Sequence, residues 1–249
     1  MKKFFRRIAL KLLSPKYVDF IRNQYSISSG PFIGMKYINE STGSSFAPKV
    51  LGTYEKELQP IVNEIFTLPF ARILDIGAAE GYYAVGLAFA HPSQPEIIAF
   101  ESNAQGRNMI LKLANLNNVD SITVNGFCDV PSLRATSGES NVSPVLIICD
   151  IEGYEAKLLG PDIVSSLRET YILVEVHDRV EQNIGKLLTK RFQESHHIEE
   201  IWSQTRNLTD LANPGKLAWL LPEGICLRAM NEYRRKPMRW FWMKPRGNH

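Results

Sequence analysis

The sequence predicts an α/β fold: a doubly wound, mainly parallel sheet of seven strands that ends in a C-terminal antiparallel hairpin. Three observations predict it. From residue 72 onward, short apolar runs alternate with amphipathic runs of helical period. The first apolar run leads through an acid into a glycine-rich turn, RILDIGAAEGYYAVGLA at 72–88. Towards the C-terminus the helical runs thin out, and two strand-like runs flank NEYRRKP. Alternation of this kind places crossover helices on both faces of a parallel sheet, so its strands read as nearly continuous apolar runs. The last two runs are joined by a short connection and read as an antiparallel pair.

Taken in order, residues 1–14 read as a basic amphipathic helix, with Phe5, Ile8, Ala9, Leu12 and Leu13 on one face and lysines and arginines elsewhere. Such a helix suits peripheral contact with an anionic membrane surface; docking on its own domain or on a partner subunit is the plainer expectation, and a homo-oligomer stays open. Residues 23–52 are rich in Gly, Ser and Pro and read as irregular, with one short strand. An amphipathic helix follows at 53–66, with Thr53 as its N-cap. Strand-like runs lie at 72–76, 96–101, 121–125, 144–150, 171–177, 197–203, 225–230 and 238–243. Helical runs lie near 81–90, 104–116, 153–167, 180–193 and 207–212. The chain thus divides into an N-terminal helix and entry region, 1–52, and a sheet domain, 53–249.

Bulk properties narrow the function. A net charge of +3 over 249 residues is too small to argue for a nucleic acid partner. Three cysteines, Cys128, Cys149 and Cys226, lie too far apart for a disulfide framework or a metal-ligand motif, which suits a reducing, cytoplasmic compartment. The sequons at Asn39, Asn141 and Asn207 then read as chance matches. No apolar run approaches the roughly 20 residues that span a bilayer.

In open α/β sheets ligands bind outside the carboxyl ends of the strands, where strand order reverses. Asp75 sits at such an end, and Gly77 and Gly81 follow it. Their spacing is neither the dinucleotide fingerprint nor a P-loop, and an acid beside the turn repels phosphate. Asp75 suits a cationic, amine-bearing ligand, and S-adenosylmethionine carries both a sulfonium and an amino group. Glu101 ends the next strand, at about the distance where such a unit places a ribose-binding carboxylate. The third strand leads into NGFCD, where Phe127 suits stacking on adenine and Asp129 suits its amino group; Phe127 reads equally well as core.

A second constellation follows. The run PVLIICDIEGYEAKLL brings Asp150 to a strand end, with Glu152 and Glu155 after it. The next strand, YILVEVHD, carries Glu175 and His177, whose spacing by two places them on one face. The segment Asp150–Ile151–Glu152–Gly153–Tyr154–Glu155 resembles the Asp-x-Glu-Gly-x-Glu signature of FkbM-type methyltransferases. Asp75, Gly77, Gly81, Tyr82 and Tyr83 match the family's earlier motif, and Glu175 and His177 match its Glu-x-His strand. The resemblance covers about residues 70–180, in order. It implies a class I, Rossmann-like methyltransferase that uses S-adenosylmethionine, typically to O-methylate hydroxyls of sugars, glycans or specialised metabolites. The chain departs from the family at Ala79, where Asn is common. Tyr54 and Glu55 fall in an entry region similar to that of one subgroup and are expected near the methionine end.

For a hydroxyl acceptor the protein supplies orientation and a base. His177 is the first candidate base, because its ordinary pKa lies near neutrality. Asp150 is the second, and Glu175 is expected to orient His177 or hold the acceptor. Glu155 reads as pairing with Lys157 on its own helix. Asp150, Glu175 and His177 are also competent ligands for Mg²⁺ or Mn²⁺, but the set is incomplete in the sequence and no metal is assigned. The expected partner is a small-molecule or glycan acceptor. Competing readings are an RNA or protein methyltransferase, and a non-catalytic binding protein of the same fold. The basic, Trp-rich C-terminus reads as strand packing with solvated charge, or as a subunit interface.

Overall fold

The computed structural model describes residues 26–41, 45–138, 144–178, 183–211, 223–234 and 236–247. The basic helix expected over 1–14 lies outside these residues. The strands are β1 (Arg72–Ile76), β2 (Glu96–Phe100), β3 (Ile122–Asn125), β4 (Val145–Cys149), β5 (Thr170–Glu175), β6 (His196–Trp202) and β7 (Arg239–Pro245). They form one sheet in the order β3-β2-β1-β4-β5-β7-β6. The first five are parallel to one another, and β7 runs antiparallel to both β5 and β6. Strand order therefore reverses between β1 and β4, and a crevice opens there at the carboxyl ends.

Alternate residues of the central strands feed two separate cores. Ile73, Ile97, Ala99, Leu146 and Ile148 face one of them, together with α2 (Gln59–Ile65), α3 (Tyr82–Ala90) and α4 (Ala104–Leu116). Leu74, Ile76, Ile98, Ile147 and Cys149 face the other, against α6 (Glu155–Leu158), α7 (Pro161–Val164) and α8 (Ile184–Phe192). This two-sided burial is why β4 is wholly apolar, with all five residues buried. The architecture is the doubly wound, Rossmann-like sheet with antiparallel strands at its C-terminal end.

The described part of the entry region holds a helix and a buried apolar face that its composition does not predict. Helix α1 (Phe46–Leu51) ends at Gly52, whose φ of 71° is left-handed. Ile27, Phe32, Met35, Tyr37 and Val50 are buried in the core of α2–α4. Phe32 fills the space beside Gly86 on α3, where a Cβ would stand 2.8 Å from the ring. Thr53 does not cap the following helix. Its hydroxyl instead reaches the Pro48 carbonyl, and α2 starts at Gln59 after a 3₁₀ turn over Lys56–Leu58.

Several expectations need correction. The run at 225–230 is not a strand but lies in helix α9 (Glu223–Ala229), so eight strand-like runs yield seven strands. Short apolar runs do not distinguish strand from buried helix, and β7 already has β5 and β6 on its two edges, which leaves none for a further strand. The terminal hairpin is consequently β6–β7, joined by a long connection, with Glu200 opposite Phe241. The helical run 153–167 breaks at Gly160–Pro161 into α6, α7 and a 3₁₀ turn, and 207–212 reduces to a 3₁₀ turn, Leu208–Asp210. Helix α5 (Val130–Gly138), of weak helix formers, was not expected at all. Among the described residues no helix is long and apolar enough to cross a membrane.

Trp242 on β7 is fully buried and lies 5.7 Å, centroid to centroid, from Tyr171 on β5. Trp242→Ala should lower stability in urea unfolding by about 3–5 kcal/mol.

Candidate active site

A cavity of about 330 Å³ lies at the switch point and is lined from the ends of β1, β2 and β4 and from the entry region. Its floor depends on one close approach. Gly77, at φ 85°, lies so near the end of β4 that a Cβ there would stand 1.7 Å from the Asp150 carbonyl oxygen. Gly81, at φ 95°, caps α3 against Ile110 of α4 and does not itself line the cavity.

Asp75 lines the cavity and is almost fully buried. Its Oδ2 accepts the Ala84 backbone N–H at 2.8 Å, which satisfies an open donor in the first turn of α3. Burial pushes its pKa up to about 7, against the lowering effect of that hydrogen bond. Glu101 also lines the cavity. One carboxylate oxygen accepts from Ala79 N at 2.8 Å and the other from Asn103 N at 2.7 Å. This fixes the carboxylate while leaving acceptor lone pairs on it. Gly106 on α4 is the residue that admits it, since a Cβ there would stand 2.7 Å from the Glu101 side chain. Ala79 has φ 49°, a conformation that Asn tolerates better than Ala, so the departure from the resembled motif falls on a backbone constraint.

Phe127 is not core. It is 59% exposed and meets Tyr154 edge-on at 5.4 Å, so the two rings form one wall of the cavity. Asp129 lies outside the lining; it accepts Ser132 N at 2.8 Å at the start of α5, and hydrogen bonding from the Ser132 side chain and backbone lowers its pKa. Tyr82 and Tyr54 also line the cavity, beneath Lys49, whose ammonium stands 5.5 Å and 4.8 Å from their ring centroids. Lys49 is buried and paired with the fully buried Glu80, which also accepts from Tyr37 Oη at 2.9 Å and Ser41 Oγ at 2.8 Å.

Asp150 carries the cavity into a second, deeper cluster. It keeps 35% of its side chain exposed, whereas Glu175 and His177 lie buried behind it and outside the cavity lining. His177 Nε2 stands 3.7 Å from Asp150 Oδ1, 3.7 Å from Glu175 Oε2 and 3.5 Å from Glu152 Oε2. Its Nδ1 is held at 2.7 Å by Glu155. Glu155 thus corrects two expectations. It does not pair with Lys157, whose ammonium lies over Tyr154, and it, not Glu175, orients His177. The same Glu155 oxygen accepts from Gly153 N at 3.0 Å and Ile151 N at 3.4 Å, which organises the whole turn after β4, with left-handed Glu152 and Gly153.

Glu175 is committed elsewhere: its Oε1 accepts from Arg234 Nη1 at 2.8 Å. Arg234 also pairs with Glu55, which accepts from Tyr83 Oη, and with Glu232 at 2.9 Å. Burial, followed by repulsion from neighbouring carboxylates, pushes Asp150 up to about 8 and Glu175 up to about 9, with Arg234 opposing. Burial pulls His177 down, but the Glu155 hydrogen bond and the surrounding carboxylates outweigh it and raise it. Lys49, Gly106, Tyr154, Glu155 and Arg234 are the site residues that sequence reading missed or misplaced. Only Glu155 had a signal, its place in the acidic motif.

Gly77→Ala should remove the floor of the cavity and cost at least about 1–3 kcal/mol in urea unfolding, because positive φ and a backbone clash act together. Asp75 gives a pH signature. Between its ordinary 3.8 and about 7 the folded chain holds a proton that the unfolded chain has lost, so stability falls as pH rises across that window. In urea unfolding at pH 5 and pH 8, Asp75→Asn should lose less stability on going to pH 8 than the wild type.

The chain matches no family profile and no curated protein. Its fold is similar to that of a provisionally assigned O-methyltransferase from Klebsiella pneumoniae, with 13% identity, a TM-score of 0.48, and coverage of 78% of this chain and 81% of that chain. It is similar to a provisionally assigned rRNA methylase from Clostridium thermocellum, with 12% identity, a TM-score of 0.49, and coverage of 78% and 97%. M. jannaschii TYW2 in complex with AdoMet is a further likeness, with 10% identity, a TM-score of 0.41, and coverage of 74% and 72%. Likeness at this level concerns the fold and carries over neither substrate nor residue roles.

Proposed function

We propose that this chain is an S-adenosylmethionine-dependent O-methyltransferase of the FkbM type, acting in the cytoplasm on a hydroxyl of a sugar, glycan or specialised metabolite. One observation carries the reading. A cavity at the switch point has fixed carboxylates, Asp75 and Glu101, at two adjacent strand ends, and opens through Asp150 onto a His–carboxylate cluster.

Glu101 is oriented by two backbone N–H groups to receive both ribose hydroxyls. Phe127 and Tyr154 offer an aromatic wall for adenine. Asp75, with Tyr54 and Lys49 across the cavity, serves the charged methionine end. When bound, S-adenosylmethionine supplies a methyl carbon already activated by its sulfonium. The chain's own part is to hold the acceptor oxygen in line and to take its proton within the cluster of Asp150, Glu175 and His177. Lys49 of α1 lines the cavity, and the entry region is, on this reading, part of the acceptor's route in.

The test uses labelled methyl donor with a panel of sugars, glycan fragments and hydroxylated metabolites, and follows label in product. His177→Ala should keep its affinity for the donor while turnover falls at least about 100-fold. Glu101→Ala should lose donor affinity first, by roughly 10–100-fold. A fully active His177→Ala would remove the ring from the chemistry.

A further inference from the structure

We propose that Asp150, Glu175 and His177 form a binding site for one divalent cation of the Mn²⁺ type, on the acceptor side of the cavity. The three residues each offer one donor atom, and these atoms all lie within 4.8 Å of one another. In an octahedron with bonds of about 2.1 Å, neighbouring ligands stand about 3 Å apart and opposite ones about 4.2 Å. The two His177–carboxylate distances, both 3.7 Å, fall between these limits.

The imidazole supplies the second, independent observation. His177 is 95% buried, with 5% exposure, and its Nε2 has no hydrogen-bond partner although it points into the carboxylates. An unpaired buried ring nitrogen is costly. Its other nitrogen explains the arrangement. Nδ1 donates to Glu155, which fixes the tautomer that leaves a lone pair on Nε2. A carboxylate holding the far nitrogen of an imidazole is the usual support of a metal-bound histidine. Asp150 Oδ1 is unpaired as well. Arg234 takes Glu175 Oε1 and leaves Oε2 facing the ring.

Charge points the same way. Asp150, Glu152, Glu155 and Glu175 surround one imidazole, Glu55 adds its field from the turn before α2, and among the described residues Arg234 is the cation that faces them. Two oxygens and one nitrogen suit Mn²⁺ better than Mg²⁺, which prefers oxygen alone, and better than Ca²⁺, which takes six to eight oxygens. Three protein ligands leave coordination positions for water and for an acceptor oxygen. The ion's role in turnover rests on the methyl-transfer reading; its binding does not. An ion held by Asp150, Glu175 and His177 would supply Lewis-acid activation of a bound hydroxyl, with His177 serving as a ligand and not as the base.

The test is titration of the full-length protein with Mn²⁺, following loss of the free-ion EPR signal, with and without S-adenosylhomocysteine. One ion per chain should bind with a dissociation constant below about 0.1 mM. His177→Ala and Asp150→Asn should each weaken binding at least about tenfold, and Glu155→Gln by about 10–100-fold through the ring it holds. Circular dichroism melts identify any variant that fails to fold, and Glu155→Gln is the conservative fallback. No binding under either condition, or binding that folded His177→Ala leaves unchanged, overturns the site. Mn²⁺ binding in a protein that ignores S-adenosylmethionine would sink the methyl-transfer reading and leave the site standing. S-adenosylmethionine binding without Mn²⁺ binding would do the reverse.

Discussion

The contact on which the rest of this site depends is between two backbones. Gly77 packs onto the carbonyl of Asp150 with no room for a side chain. Asp150 N in turn donates to the Ile76 carbonyl at 2.9 Å, which clips the end of β4 to the end of β1. Two short links thus set the distance between the turn expected to hold a cofactor and the acid that leads to the His–carboxylate cluster. Because β1 and β4 are buried on both faces, neither end can move without disturbing both cores. The chemistry is therefore placed on rigid elements.

Around that floor the chain gathers an unusual amount of buried charge. Glu55, Glu80, Glu155, Glu175 and Asp75 are all nearly inaccessible, and most are held by a specific donor. Glu80 is held by Lys49 and Tyr37, Glu55 by Arg234 and Tyr83, and Asp75 by the first turn of α3. Buried ion pairs of this kind return little net stability, because desolvation offsets the Coulomb attraction. What they do supply is geometry. Arg234, from the segment before β7, joins Glu55 of the turn before α2 to Glu175 of β5 and so ties three distant stretches of chain to one site.

Much of this was legible in the sequence where one local signal carried it. The apolar runs at 72–76, 96–101 and 144–150 became parallel strands because burial on both faces leaves no other composition. Asp75, Gly77 and Glu101 fell at strand ends because a βαβ unit fixes their separation. Features that depend on distant partners were not legible. EGICLRAM reads as strand or helix until both edges of β7 are known to be filled. Glu155 reads as a surface helix residue until His177 is seen above it. Arg234 lies in what looks like a turn, and only the fold shows that it reaches Glu55 and Glu175. Asp129, three residues before Ser132, went to helix capping, a local competitor that the placement beside adenine did not consider.

The most direct test of the account is calorimetric titration of the purified chain with S-adenosylmethionine and S-adenosylhomocysteine, with NAD as control. The account predicts micromolar binding of the first two and none of the third, since the cavity pairs strand-end carboxylates with a turn unsuited to pyrophosphate. Binding of NAD in preference to either, or no binding of either with the divalent cation supplied, would contradict it.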